Sequence, residues 1–81
     1  MELTQKKYLY PGSNTTFYTV SWVRSIEHTN KDIQKWCKKT FGKPGYNDKL
    51  EMVRWTDNIS ESNSITFLQE SDFMMFLLRW Q

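Results

Sequence analysis

The 81-residue chain has no Ala, one Cys, one His, three Gly and two Pro. Each scarcity removes a class of explanation. A single Cys closes no disulfide within the chain, and one Cys with one His cannot supply the ligands of a structural zinc site. Gly12, Gly42 and Gly45 form no Gly-rich loop that would cradle a phosphate. No apolar run approaches the roughly 18–20 residues of a membrane-spanning helix, so no membrane role is expected. The start, Met1 to Lys7, is charged and has no apolar segment followed by a small-residue cleavage site. No secretory signal is read there, and a reducing, intracellular setting is expected. Asn14-Thr15-Thr16 and Asn58-Ile59-Ser60 match the glycosylation tripeptide, which carries meaning only in a secreted protein.

What the chain does have is bulk. A chain this short hides only about 60–65% of the surface its unfolded form exposes, so a core must come from large side chains. Four Trp, five Phe and four Tyr supply them. Each aromatic buries roughly 150–250 Å², which excludes disorder through lack of apolar payload. The length predicts a single domain over residues 1–81. The net charge of +2 conceals a polarity: residues 1–49 carry nine Lys and Arg against four Asp and Glu, and residues 50–81 carry two against five. Such asymmetry either draws a dipolar surface or pairs off internally.

Along the chain, residues 1–12 read as a short strand or an extended arm, stopped by Pro11-Gly12. Phe17 to Arg24 is the clearest strand, with Tyr18, Val20 and Trp22 on one face and Phe17, Thr19, Ser21 and Val23 on the other. A helix follows. Thr29 or Asn30 caps it, Asp32 sits in its first turn, and Gly42 and Pro44 mark its end. Ile33, Trp36, Cys37, Thr40 and Phe41 recur at the spacing of one buried stripe, whereas Lys31, Lys35, Lys38 and Lys39 point the opposite way. After the turn-rich Lys43 to Asp48, Leu50 to Trp55 reads as a strand whose alternation slips between Met52 and Val53. Asp57 to Asn63 reads as a polar loop, and Ser64 to Leu68 as a short strand antiparallel to the one before. Ser71 then caps a last helix, with Asp72 in its first turn. Its Phe73 to Trp80 is apolar almost all round, which predicts burial on more than one side.

The predicted fold class is α+β: a two-layer sandwich in β-β-α-β-β-α order, with a small mixed or antiparallel sheet of three or four strands and two helices on one face. The second sheet face is left without helices. Phe17, Val23 and either Leu50 with Met52 or Val53 with Trp55 would be partly exposed there, as a contact surface.

Catalytic chemistry finds little material. Cys37, the one thiol, lies mid-helix in the apolar stripe, where packing explains it better than nucleophilic work. His28 reads as an exposed loop residue. Asp57, Glu61, Glu70 and Asp72 cluster in sequence, but a solvated loop and helix-start charge account for them. No enzyme, cofactor or metal is expected. The Lys31, Lys35, Lys38 and Lys39 face admits three readings: simple solvation, steering of an acidic protein partner, or tracking of a nucleic-acid backbone while Tyr46 or Trp55 stacks on bases. The sequence pI of 8.8 falls short of a strongly basic domain.

Trp36-Cys37, Phe41-Gly42, Arg54-Trp55 and the ending Ile65-x-Phe67-x-x-Glu70-x-Asp72-x-x-x-Phe76-x-Leu78-Arg79-Trp80 resemble small accessory proteins of tailed bacteriophages, over roughly residues 33–80. The motifs are structural, and no catalytic residue comes across. The resemblance implies a protein of the host-cell cytoplasm that binds, and inhibits or redirects, a host protein such as a defence-system component. An Ala-free composition is compatible with an AT-rich gene. The expected contact residues are Lys31, Lys35, Lys38 and Lys39 for steering, with Phe17, Tyr46 and Trp55 as anchors. The alternatives are a nucleic-acid binder using the Lys face, and a homodimer joined through the uncovered sheet face.

Overall fold

The computed structural model describes residues 2–9, 12, 14–23 and 29–81. They form β1 (Leu3–Leu9), β2 (Thr16–Trp22), α1 (Asn30–Phe41), β3 (Trp55–Asn58), α2 (Ile59–Ser62), β4 (Ser64–Phe67) and α3 (Glu70–Trp80). The sheet order is β1-β2-β4-β3, and all neighbours are antiparallel. The α+β class is as expected. The order gains one single-turn helix, α2, and residues 3–9 are a strand rather than an arm. Pro11, Arg24 and His28 lie outside the described residues.

Register separates the two sheet faces. Trp55, Phe67, Tyr18 and Lys7 make one row across β3, β4, β2 and β1 on the helix-bearing face, and Asp57, Ile65, Val20 and Gln5 make the next. Thr56, Thr66, Thr19 and Lys6 form a row on the opposite face, where the Thr19 and Thr66 hydroxyls are hydrogen-bonded at 3.0 Å. Both long helices lie on the first face. Phe41 of α1 packs edge-on against Phe67 and Trp55, while Phe73 and Phe76 of α3 meet Tyr18, Trp22 and Phe67. Half-buried Trp36 spans the helices, with its ring edge-on to Phe41, Phe76 and Trp80. Such pairs each add about 0.5–1.5 kcal/mol beyond the area they bury.

The ends of α1 follow the predicted signals. Thr29 Oγ1 accepts from the Asp32 N–H at 3.1 Å and Asp32 Oδ2 accepts from the Thr29 N–H at 3.3 Å, a reciprocal cap. Gly42 leaves the helix with φ at 85°, a conformation open to Gly, and its N–H donates to the Lys38 carbonyl. Asn30 ties α1 to its neighbours: its Oδ1 accepts from Trp22 Nε1 at 3.1 Å, and its Nδ2 donates to the Ile59 carbonyl and to Asn63 Oδ1.

Three expectations are corrected. Leu50 to Trp55 is not one strand: Leu50 takes φ 61°, and Asn47 folds a turn whose side-chain oxygen accepts from the Lys49 and Glu51 N–H groups. Pairing in the sheet begins only at Trp55. Asp57 to Asn63 is no simple loop, because Asp57 and Asn58 finish β3 and α2 buries Ile59. In α3, Gln69 rather than Ser71 holds the cap position, and burial is one-sided. Asp72, Phe73, Phe76, Leu77 and Trp80 face inward, whereas Met74, Met75 and Leu78 are exposed, Leu78 by 84%. α1 and the sheet meet only one flank of α3.

Candidate functional site

A groove of about 620 Å³ opens on the helix-free sheet face. Its floor is the sheet itself, with Phe17 of β2, Thr66 of β4, and Thr56 and Asn58 of β3. Tyr8 of β1 stands at one side, and Tyr46, Leu50, Glu51 and Met52 form a wall opposite. The Tyr8 and Phe17 rings, opposite each other in register, are 5.6 Å apart and tilted by 32°.

The wall is an arch running from Gly42 to Arg54, and its backbone pairs explain its position. Gly45 N–H donates to the Trp55 carbonyl at 2.9 Å, Val53 N–H to the Gly45 carbonyl at 3.0 Å, and Asn47 N–H to the Glu51 carbonyl at 2.9 Å. Tyr46 and Met52 bridge between these bonds. The arch is therefore a small hairpin set against the start of β3. Its far end is pinned by Arg54. The guanidinium donates from Nε to Asp72 Oδ2 at 2.7 Å and from Nη2 to Asp72 Oδ1 at 3.0 Å, and Nη1 donates to the Phe41 carbonyl at 3.2 Å. Three segments meet at one planar fork: the end of α1, the arch and the start of α3. The hydrogen bond and charge of Asp72 raise the Arg54 pKa above its ordinary value, against a smaller opposing effect of desolvation.

The four lysines of α1 occupy the other side of the molecule. Lys31, Lys35, Lys38 and Lys39 are all exposed on α1. Lys35 and Lys39 line a shallow cleft of about 380 Å³ between α1 and α3, together with Asp32, Trp36, Arg79 and Trp80. The Arg79 guanidinium lies 4.3 Å from the Trp80 ring centroid. The structure thus divides the predicted contact residues. Phe17 and Tyr46 come together in the groove, while the four lysines lie beyond the helix layer.

Trp55 joins neither group, and its expected role as an exposed anchor is corrected: the side chain is 0% exposed. Its place on the helix-bearing face puts it under Phe41, and its Nε1 donates to the Gly42 carbonyl at 3.0 Å. Of the two exposed pairs expected, Leu50 and Met52 are the one on the groove. Val23 is exposed but is not among the groove residues.

Cys37 is fully buried, and burial raises its thiol pKa far above the ordinary value, with the charge of Asp57 adding to the effect. It is neutral and inert at physiological pH. The clustered carboxylates separate: Asp72 binds Arg54, Glu70 approaches Lys7 at 3.7 Å, and Asp57 accepts from Gln34. Among the described residues, no group of three His, Cys, Asp or Glu is placed to hold a metal ion, and no helix is long and apolar enough to cross a membrane.

Tyr8 and Glu51 are groove residues that sequence reasoning did not select, Leu50 and Met52 entered only as one of two alternative exposed pairs, and Arg79 is the one missing from the cationic face. Tyr8 needed the β1–β2 register. The slip in alternation at Met52 was the visible trace of the arch. Nothing local marks Glu51.

No family model, curated protein or solved structure matches the chain.

Proposed function

We propose that the chain is a small non-enzymatic binding protein of the phage accessory kind, which engages a host protein in the host cytoplasm and blocks or redirects it by occupying its surface. The observation that carries this reading is the groove. Phe17 and Tyr46 are aromatics that the core does not use, and a hydrogen-bonded arch holds Tyr46, Leu50 and Met52 over the sheet face that bears Phe17. Partly exposed aromatics around a concave site of mixed polar and apolar lining are the usual anchors of a protein contact. The lysines of α1, on the far side, contribute long-range attraction at most.

Affinity capture from bacterial lysate tests the reading with three baits. Wild type and a variant with Lys31, Lys35, Lys38 and Lys39 all changed to Glu should retain the same protein, and Tyr46→Ala should lose it. Loss with the lysine variant and retention by Tyr46→Ala would reverse the assignment.

One observation favours nucleic acid as a second reading. Arg79 joins Lys35 and Lys39 in a cleft that also holds Trp36, so cations and an aromatic stand together. Fluorescence anisotropy of a labelled single strand at about 50 mM salt decides it, since phosphate-driven binding is strongest at low salt. A homodimer through the helix-free face would appear as a dimer mass in light scattering.

A further inference from the structure

The groove carries a chemical preference. Among the described residues, three aromatic rings line it, Tyr8, Phe17 and Tyr46, and the one charged residue is Glu51. Ring faces carry the negative side of the aromatic quadrupole and attract a cation within about 6 Å of the centroid. Glu51 is held in the wall. Its N–H donates to Asn47 Oδ1 at 3.0 Å, and its Oε1 accepts from Asn47 Nδ2 at 3.4 Å. Oε2 has no partner among the described residues. On the floor, the Thr66 and Thr56 hydroxyls and the Asn58 amide offer further acceptors.

An acidic side chain entering here would meet a like charge and, among the described lining residues, no cation. A purely apolar one would leave Glu51 Oε2 without a partner. A guanidinium suits the lining: it is flat enough to stack on a ring and presents five donors with no acceptor. The α1 lysines do not cancel this preference, because they lie beyond the helix layer and exposed charges are screened over about 8–10 Å. Lys6 and Lys49 are exposed nearby but line none of the groove.

We propose that the groove takes an arginine-bearing segment of the partner protein, with the guanidinium against the aromatic rings and paired with Glu51. At about 620 Å³ the groove has room for a short stretch of chain rather than a single side chain. This rests on the groove being the contact surface, and it replaces an acidic partner with a locally basic one.

The test is an NMR titration of the ¹⁵N-labelled chain with three capped tripeptides: Leu-Arg-Leu, Leu-citrulline-Leu and Leu-Glu-Leu. Citrulline keeps the shape of arginine without its charge. The arginine peptide should move the amides of Tyr46, Glu51, Thr56 and Thr66 saturably and bind at least about fivefold more tightly than the citrulline peptide. Glu51→Gln should shrink that preference to about twofold or less. Equal binding of all three peptides in the groove would overturn the arginine assignment and leave the groove standing as the contact surface. Shifts confined to α1, or none in the groove amides, would overturn both.

Discussion

Tyr46 and Lys38 are both exposed side chains, and the contrast lies in what holds them. Tyr46, 61% exposed, sits on an arch closed by its own backbone hydrogen bonds, joined to β3 through Gly45 and Trp55 and pinned at its end by the Arg54 fork. Lys38 projects from the outer face of a helix whose position is set from the inside, by Ile33, Cys37 and Phe41. Removing the exposed groups of α1 would leave the helix in place. Removing the supports of the arch would leave no groove. A Tyr has two side-chain torsions to fix on binding and a Lys has more, and the backbone under Tyr46 is already hydrogen-bonded, so the groove is the better-prepared surface. The two regions share an abundance of exposed residues and differ in how far they are preorganised.

The largest expected effect comes from the support. Arg54→Met leaves Asp72 buried without its partner, and full burial of such an orphan costs about 3–5 kcal/mol. Arg54 is itself 40% exposed in its side chain, so a loss of about 2–4 kcal/mol is expected in urea denaturation. Amide exchange should rise first in the arch. If the arch keeps its protection, the fork is not what builds the groove.

Next is the wall. Tyr46→Ala should weaken the captured partner by at least about tenfold, which is roughly 1.4 kcal/mol, as measured by biolayer interferometry. Stability should stay within about 0.5 kcal/mol, because Tyr46 is exposed. A stability loss matching the affinity loss would mean that the residue is structural.

A third prediction compares the two faces of α1. The Cys37 pKa is raised in the folded state, so the native protein keeps its proton at a pH where the unfolded chain loses it. Stability from this source is complete below the ordinary thiol pKa. It falls as pH rises above that value, by up to about 1.4 kcal/mol per pH unit. Cys37→Ala should remove that slope from the alkaline limb of the stability curve, and identical slopes would contradict the buried, neutral thiol.

The smallest effect is on the outer face. Lys31, Lys35 and Lys39 succeed one another four residues apart, and each such like-charge pair costs a few tenths of a kcal/mol. Lys35→Glu should therefore stabilise by about 0.5 kcal/mol in the same denaturation assay. It should leave partner dissociation unchanged. A faster dissociation would bring the Lys face into the contact and blur the contrast between the regions.

Much of the frame was legible in the residues. Caps and spacing identified α1, and alternation assigned Tyr18, Val20 and Trp22 to the core side of β2, because both signals are local and each is tied to one geometry. The groove was half legible. Phe17 and Tyr46 emerged as surplus aromatics, but their meeting depends on where the arch folds back. That is decided by the Asn47 turn and the long-range Arg54–Asp72 pair, in which the partners are 18 residues apart. Trp55 was misplaced for the same reason: once Leu50 turns to positive φ, the strand phase restarts, and Trp55 rather than Met52 faces the helices. The outer side of α3 was misread because an apolar helix does not reveal how many of its flanks meet a neighbour.

The central claim, that contact is made through the groove and not through the Lys face, is tested most directly by site-specific photo-crosslinking in bacterial cells. A benzophenone side chain is placed at position 46 in one variant and at position 38 in another. The account predicts one discrete crosslinked species from position 46 and none from position 38. A discrete product from position 38 with none from position 46 would contradict it.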